Sequence, residues 1–348
     1  MNSKINLMHI RYHILLFSSL IWFSCTKDPI VKKTEPPVPA PADTSKKEPD
    51  TPKDKYELHK IQFQVNELFA DDAIDEQVFL GSIWDLKDTV GGPQLESMAS
   101  QAKKVNFHIL SYNDLSVDMG FFEPSYSNIL AYANKFNKSK QASSINYAMS
   151  TFEDYAEVQG YLGNSGDVKA MLSLVKHADS TTIQKPNSML LVNNVNKLNL
   201  FIDHTEYLDA YPETEVANLI NAGYSPYVLA SVTYGSRMIL MGESDSTGIS
   251  LRNTINKVLD NNLLDDQDIK VLDCSKLLIY CRGGGKESFI QYPAGAKAIE
   301  TGLKDLRRYM DQTENIFDYP LTYSFMSLVD YSTLSYYNQY SVRKKKQE

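Results

Sequence analysis

The chain has 348 residues, 43% of them hydrophobic and 22% charged, which is enough for one large core or two modest ones. Its formal net charge of −8 argues against a nucleic-acid partner, whose phosphates attract a basic surface. The one basic cluster, Arg343–Lys346, reads as a short solvated tail.

At the N-terminus, Lys4 and Arg11 precede an apolar run, Ile14–Phe23, that stops at Ser24-Cys25. Charge followed by an apolar stretch too short to span a bilayer comfortably is an export signal, assigned to residues 1–25. A small residue before cysteine at this point resembles a bacterial lipobox, in which the thiol is acylated; Trp22 and Phe23 depart from its usual small residues. Acylated Cys25 would bind membrane lipid and hold the protein in the bacterial cell envelope as an outer-membrane lipoprotein. The alternative is a plain secretory peptide with an incidental cysteine. Residues 26–57 carry half of the prolines and almost no large apolar side chains, so they read as an extended tether of ~3 Å per residue.

The folded part is expected over 58–348. Strands are expected at Ile61–Val65, Val105–Ser111, Met189–Phe201, Tyr227–Met241, Lys276–Cys281 and Leu321–Tyr340, the last without a helix between its halves. Ser125 opens a helix through Ile129, Leu130, Ala133 and Phe136, and Pro293 opens another through Ile299, Leu303, Leu306 and Met310. Long strands with helical insertions predict an α+β protein built on a large antiparallel sheet.

Two segments fit two periods. In residues 151–178, a helix capped by Asp167 gathers Val168, Met171, Leu172 and Val175. As strands, the same stretch aligns Phe152, Ala156, Val158 and Leu162 on one face of a first arm. Val168, Ala170, Leu172, Leu174 and Ala178 align on a second arm, with a turn-like Gly163–Asp167 between the two. Arms of this length match a membrane-spanning β-hairpin, with Glu153, Glu157, Gln159, Asp167 and Lys169 facing water and Asp154 and Lys176 breaking the apolar face near its ends. Two ordinary amphipathic helices covering a sheet are the alternative, and the one periodicity alone favours. Residues 248–273 repeat the ambiguity less cleanly. Leu251, Ile255, Val258 and Leu259 make a helical stripe, and Leu264–Asp268 is acidic for a membrane arm.

Gly283, Gly284, Gly285 and Lys286 follow an apolar strand as a phosphate loop would. Yet Tyr280 stands where the first Walker glycine is needed, Glu287 follows the lysine, and Phe289–Tyr292 reads as extended. Six histidines without ligand spacing and two cysteines besides Cys25 imply no metal, and no nucleophile motif is complete, so neither a cofactor nor an enzyme is expected. Cys274 and Cys281 read as free thiols.

One stretch, Pro226–Gly235 with Tyr227, Ser231, Tyr234 and Gly235, resembles a strand motif of the thiol-activated, cholesterol-dependent cytolysins. Tyr319–Tyr323 followed by Leu328, Asp330 and Asn338 resembles a second motif of that family at the same spacing. Leu198–Asp203 and Pro124–Tyr126 add weaker matches in order, and Gly284-Gly285 falls at the family's paired-glycine bend. The resemblance covers roughly residues 61–340. It implies a twisted antiparallel sheet flanked by two helix clusters, at 151–178 and 248–273, that refold into paired pore-lining hairpins. It also implies self-association, or association with a related partner, through a strand edge exposed when the glycine bend swings. The family's C-terminal sandwich domain, with its Trp-rich undecapeptide and Thr-Leu pair for cholesterol, has no counterpart expected here. Leu278 occupies a position where an aromatic stack would be. A non-lytic surface lipoprotein that binds or scaffolds with the same fold is the alternative.

Overall fold

The computed structural model describes residues 55–70, 77–88, 93–98, 103–112, 117–136, 144–163, 165–177, 180–202, 204–283, 287–311 and 320–346. Its strands in chain order are β1 (Tyr56–Val65), β2 (Leu68–Phe69), β3 (Ile83–Asp88), β4 (Gln94–Ser97), β5 (Phe107–Tyr112), β6 (Val117–Phe122), β7 (Ser144–Ser150), β8 (Asn187–Ile202), β9 (Pro226–Ser244), β10 (Ser275–Arg282), β11 (Phe289–Gln291), β12 (Pro320–Ser327) and β13 (Tyr336–Lys345). The helices are α1 (Tyr126–Asn134), α2 (Gln159–Leu162), α3 (Gly166–Val175), α4 (His204–Ala210), α5 (Glu213–Asn221), α6 (Gly248–Leu259), α7 (Asp266–Asp273) and α8 (Ala296–Asp311), with a 3-10 turn at Tyr155–Val158.

The spine is the antiparallel pair β8 and β9, 16 and 19 residues long. Each carries two strands laid end to end along its outer side, and β9 also pairs with β3 at its start. Beside β8 run β7 and then β5; beside β9 run β10 and then β12. The change-over falls at one level, where β8 and β9 shift register between Asn196 and Leu198 and where Gly235 and Gly283 sit. Beyond it lies one core, with Ile109, Leu198, Leu200, Leu229, Val232 and Phe325 packed under α1 and α5.

Before it the sheet is covered on both faces, so its strands are apolar on both sides rather than alternating. Leu190, Val192, Ile239, Met241, Leu278 and Tyr280 face residues 152–175. Met189, Leu191, Leu240, Leu277 and Ile279 face α6, α7 and α8. The α+β class with a large antiparallel sheet is the one expected from sequence.

Four details differ from the sequence reading. The stretch Leu321–Tyr340 is two strands in different sheets. It breaks at Asp330-Tyr-Ser332, where Asp330 Oδ1 accepts from the Ser332 N–H (3.1 Å) and hydroxyl (2.7 Å), and Tyr331 takes φ 58°. The basic run is not a solvated tail through Lys345, because β13 pairs with β1 from Tyr56↔Lys345 to Val65↔Tyr336. The same pairing places Tyr56 and Glu57, read as the end of the tether, inside β1. Finally, the cap of α3 is Ser165, whose hydroxyl accepts from the Val168 N–H; Asp167 lies in the first turn and is buried.

Candidate functional site

Each dual-period segment is inserted between two strands that are hydrogen-bonded neighbours. Residues 151–186 join β7 to β8, which pair up to Ser150↔Leu190. Residues 245–274 join β9 to β10, which pair up to Ser244↔Ser275. Extending either strand pair through its insertion would yield an antiparallel hairpin continuous with the sheet.

In this conformation both insertions are helical. Within the first, Phe152, Ala156, Val158, Leu162 and Val168 are buried, Leu172 is half-buried, and Ala170 and Leu174 are exposed. The first-arm set therefore stays on one buried side, and the second-arm set is divided between the two sides of α3, where Val168, Met171 and Val175 meet the sheet as a 3.6-residue repeat requires. In the second, Leu251, Ile255 and Val258 face the sheet, and Ile249 is 63% exposed. The acidic stretch is a helix start: Asp265 and Asp268 form a reciprocal capping box on α7. Asp268 also accepts from Thr254 (3.0 Å) and Lys257 (2.6 Å) of α6, and the Lys257 ammonium holds its carboxyl below the usual range.

Polar contacts that tie down the first segment include three groups. Against β13, the Arg343 N–H donates to Asp154 Oδ2 (2.7 Å), the Lys345 N–H to Glu153 Oε2 (2.7 Å) and Asn338 Nδ2 to the Gln159 carbonyl (2.9 Å). Against β9, Arg237 donates to the Tyr161 carbonyl (2.8 Å) and to Asn194 Oδ1 (2.6 Å), with its guanidinium 4.3 Å above the Phe69 ring. Burial lowers the Arg237 pKa to about 10.

The third tie is a junction around Asp167, which is only 6% exposed. Its Oδ2 accepts from the Tyr280 hydroxyl of β10 (3.0 Å) and from the Ser288 hydroxyl (2.5 Å), one residue before β11. Arg282 Nη1 lies 3.6 Å away. Burial, and next the Asp167 charge, push the Tyr280 phenol up, so it stays a neutral donor. One carboxylate of the first segment therefore holds the exit of β10 and the entry of β11. From sequence Asp167 reads as a helix cap or as a water-facing hairpin residue, since Tyr280 and Ser288 are more than a hundred positions away and carry no local signal.

Among the predicted glycines, Gly283 is at φ 105°, and a Cβ there would lie 1.9 Å from the Gly235 carbonyl oxygen. A Cβ on Gly235 would lie 2.0 Å from the Val195 carbonyl oxygen. The two glycines let three strands approach where the sheet changes partners. Gly284, Gly285, Ala178 and Cys25 lie outside the described residues. Of the other residues in the Pro226–Gly235 motif, Tyr234 is buried, Tyr227 is half-buried, and Ser231 donates to Asn199 Oδ1 at 3.0 Å.

The two outer edges of this half of the sheet differ. Among the described residues β10 is covered on this edge by the three residues of β11 and a bridge from Lys276 to Ala294. β7 pairs with β8 on one side and with no described strand on the other; Ile145, Tyr147 and Met149 are 65%, 57% and 46% exposed. Cys274 and Cys281 are free, and burial raises the Cys281 pKa to about 12. Among the described residues no group of three or more His, Cys, Asp or Glu is placed to hold a metal ion, and no helix is long and apolar enough to cross a membrane.

No family model matches the sequence, and no curated protein matches it. Solved structures do match the fold. Wild-type pneumolysin superposes with a TM-score of 0.57 at 14% identity, covering 83% of this chain and 64% of that one. The human-specific toxin intermedilysin gives 0.52 at 16% identity, and listeriolysin O gives 0.51 at 12%, each with the same coverage of both chains. This chain therefore spans slightly under two thirds of those cytolysins and has the fold they share over that part.

Proposed function

We propose that the protein is a cytolysin-like, membrane-refolding protein of the bacterial envelope. Its segments 151–178 and 248–273 convert from helices to two β-hairpins, and copies associate by pairing the free edge of β7 with a β10 edge from which β11 has swung at Gly283. The observation that carries this is the placement of both insertions between already paired strands, so that the hairpins would extend an existing register. Acylated Cys25, at the head of the 26–57 tether, is proposed to keep the protein at the envelope. Cholesterol recognition forms no part of the proposal.

In the helical state Val158 is buried and Glu157 half-buried; in the hairpin Val158 would face lipid and Glu157 water. Single cysteines at these two positions, in a Cys274- and Cys281-free background and labelled with a polarity-sensitive dye, should report opposite polarity on liposomes of a permissive composition. Equal polarity at both sites across all lipid compositions contradicts refolding. Metabolic acyl labelling that disappears in Cys25→Ala tests the anchor separately.

A second reading has one observation in its favour. The capped, acidic α7 tied to α6 through Asp268 opposes insertion of the second segment, and a protein in which only this conformation is used would be a surface binding or scaffolding module. The dye experiment separates the two.

A further inference from the structure

A cavity of about 480 Å³ opens at the roots of both segments. Its floor is a three-way meeting of chain. The Ser188 hydroxyl at the start of β8 accepts from the Phe152 N–H (3.0 Å) and donates to the Phe152 carbonyl (2.5 Å). The Ser188 carbonyl lies so close to Gly248, the first residue of α6, that a Cβ there would sit 2.6 Å from its oxygen. Entry into the first segment, exit from it and entry into the second thus share one point.

The walls are chemically divided. Phe152, Ile183 and Met189 form a buried apolar base, and Met149 and Ile249 stand exposed at the mouth. The charged wall carries Glu153 and the exposed Lys345, which are adjacent because the Lys345 backbone N–H donates to Glu153 Oε2. A volume within the range of small-molecule pockets, apolar on one side and bearing both signs of charge on the other, specifies an occupant with the same division. A fatty acid would meet the Glu153 carboxylate and an alkylammonium the Lys345 ammonium, each with one like-charge contact; a zwitterionic head meets neither.

We propose that this cavity binds a single-chain zwitterionic amphiphile of the lysophospholipid type, with its chain on Met149, Phe152 and Ile249, its phosphate at Lys345 and its cationic group at Glu153. Such an occupant touches residues 149–153, 186–189 and 247–249 together, and so holds the roots of both segments in the helical conformation. The binding stands apart from the refolding reading; only its consequence for refolding rests on it.

Dodecylphosphocholine below its micelle concentration, titrated into the full chain in a calorimeter, tests this without a membrane. One saturable site is expected, with affinity at least about tenfold above dodecanoate, dodecyltrimethylammonium and dodecyl maltoside. Ile249→Trp, which fills the mouth, should abolish it. Glu153→Lys and Lys345→Glu should each weaken it about tenfold, and the double exchange should restore much of the loss. Amide exchange should slow in both 152–162 and 248–259 on binding. Affinity indifferent to the head group, uptake untouched by Ile249→Trp, or adsorption only to phosphatidylcholine vesicles overturns the proposal, whatever the dye experiment on refolding shows.

Discussion

Removal of the Ser288 hydroxyl should loosen α3, a helix more than a hundred residues earlier in the chain. In Ser288→Ala, Asp167 Oδ2 loses its 2.5 Å donor but keeps Tyr280 and the Arg282 guanidinium 3.6 Å away. A hydrogen bond to a buried charged group contributes roughly 1.5–3 kcal/mol. Asp167→Asn goes further, because it withdraws a charge facing a buried guanidinium, and breaking such a pair by one partner costs about 3–5 kcal/mol. Against a global stability of about 5–15 kcal/mol, either change is large locally without unfolding the protein. Hydrogen exchange followed by mass spectrometry reads it out. At about 1.4 kcal/mol per tenfold, Ser288→Ala should accelerate exchange by at least about tenfold in Phe289–Gln291 and also in Gly166–Val175. Asp167→Asn should accelerate both by more, and the double variant should add less than the sum of the single effects. If Ser288→Ala affects only β11, the junction does not couple the first segment to the strand that covers β10, and the reasoning fails.

Gly283→Val should destabilise the fold by about 2 kcal/mol or more in urea unfolding, since it combines a left-handed backbone with a Cβ 1.9 Å from a carbonyl oxygen. Gly295→Ala, at φ 80° with open space around it, should cost only about 1 kcal/mol. Burial raises the Glu157 pKa, so the folded state binds its proton more tightly than the unfolded chain. Its charge therefore destabilises the fold at neutral pH, and the penalty fades as pH falls through the raised value toward the ordinary glutamate range. Glu157→Gln should accordingly raise the melting temperature at pH 7 and leave it unchanged near pH 4; a lower melting temperature at pH 7 contradicts this assignment. The opposite sign holds for Asp268, whose lowered pKa gives stability that is present above the ordinary aspartate range and lost as pH falls through the lowered value. Exchange in α6 and α7 should therefore accelerate at strongly acid pH, and Lys257→Met should remove much of that dependence.

The layers of the molecule were legible where the pattern is local. Strands and helices with a clear apolar period, such as Lys276–Cys281 and the stripe through Ile299, Leu303 and Leu306, lie where their residues place them. The segment 151–178 was ambiguous for a physical reason: Val168 and Leu172 belong to both an alternating and a helical face. Only packing against Ile239, Met241 and Tyr280 selects the helix. The Asp330 turn was hidden inside a run of strand-forming residues, because it contains neither glycine nor proline and is closed by backbone bonds together with the Ser327 and Asp330 side chains. The Asp167 junction and the Ser188 clasp were invisible altogether. Each joins residues dozens of positions apart or more, and single serines or aspartates carry no pattern that says which distant backbone they meet. Of the glycine run only Gly283 lies among the described residues, and its close approach to Gly235 across the sheet carries no sequence signal.

The central claim is that the first segment can exchange a 3.6-residue period for a period of two. A cysteine scan through Val168–Val175, each position labelled with a polarity-sensitive dye, measures that exchange directly. In solution the dye environments should follow the helix, apolar at Val168, Met171 and Val175 and polar at Lys169, Ala170 and Leu174. On permissive membranes the environments should alternate strictly, with Val168, Ala170, Leu172 and Leu174 apolar and Lys169, Met171 and Ser173 polar. A helical period retained on liposomes of every composition, with Ala170 and Leu174 still polar, would contradict that claim.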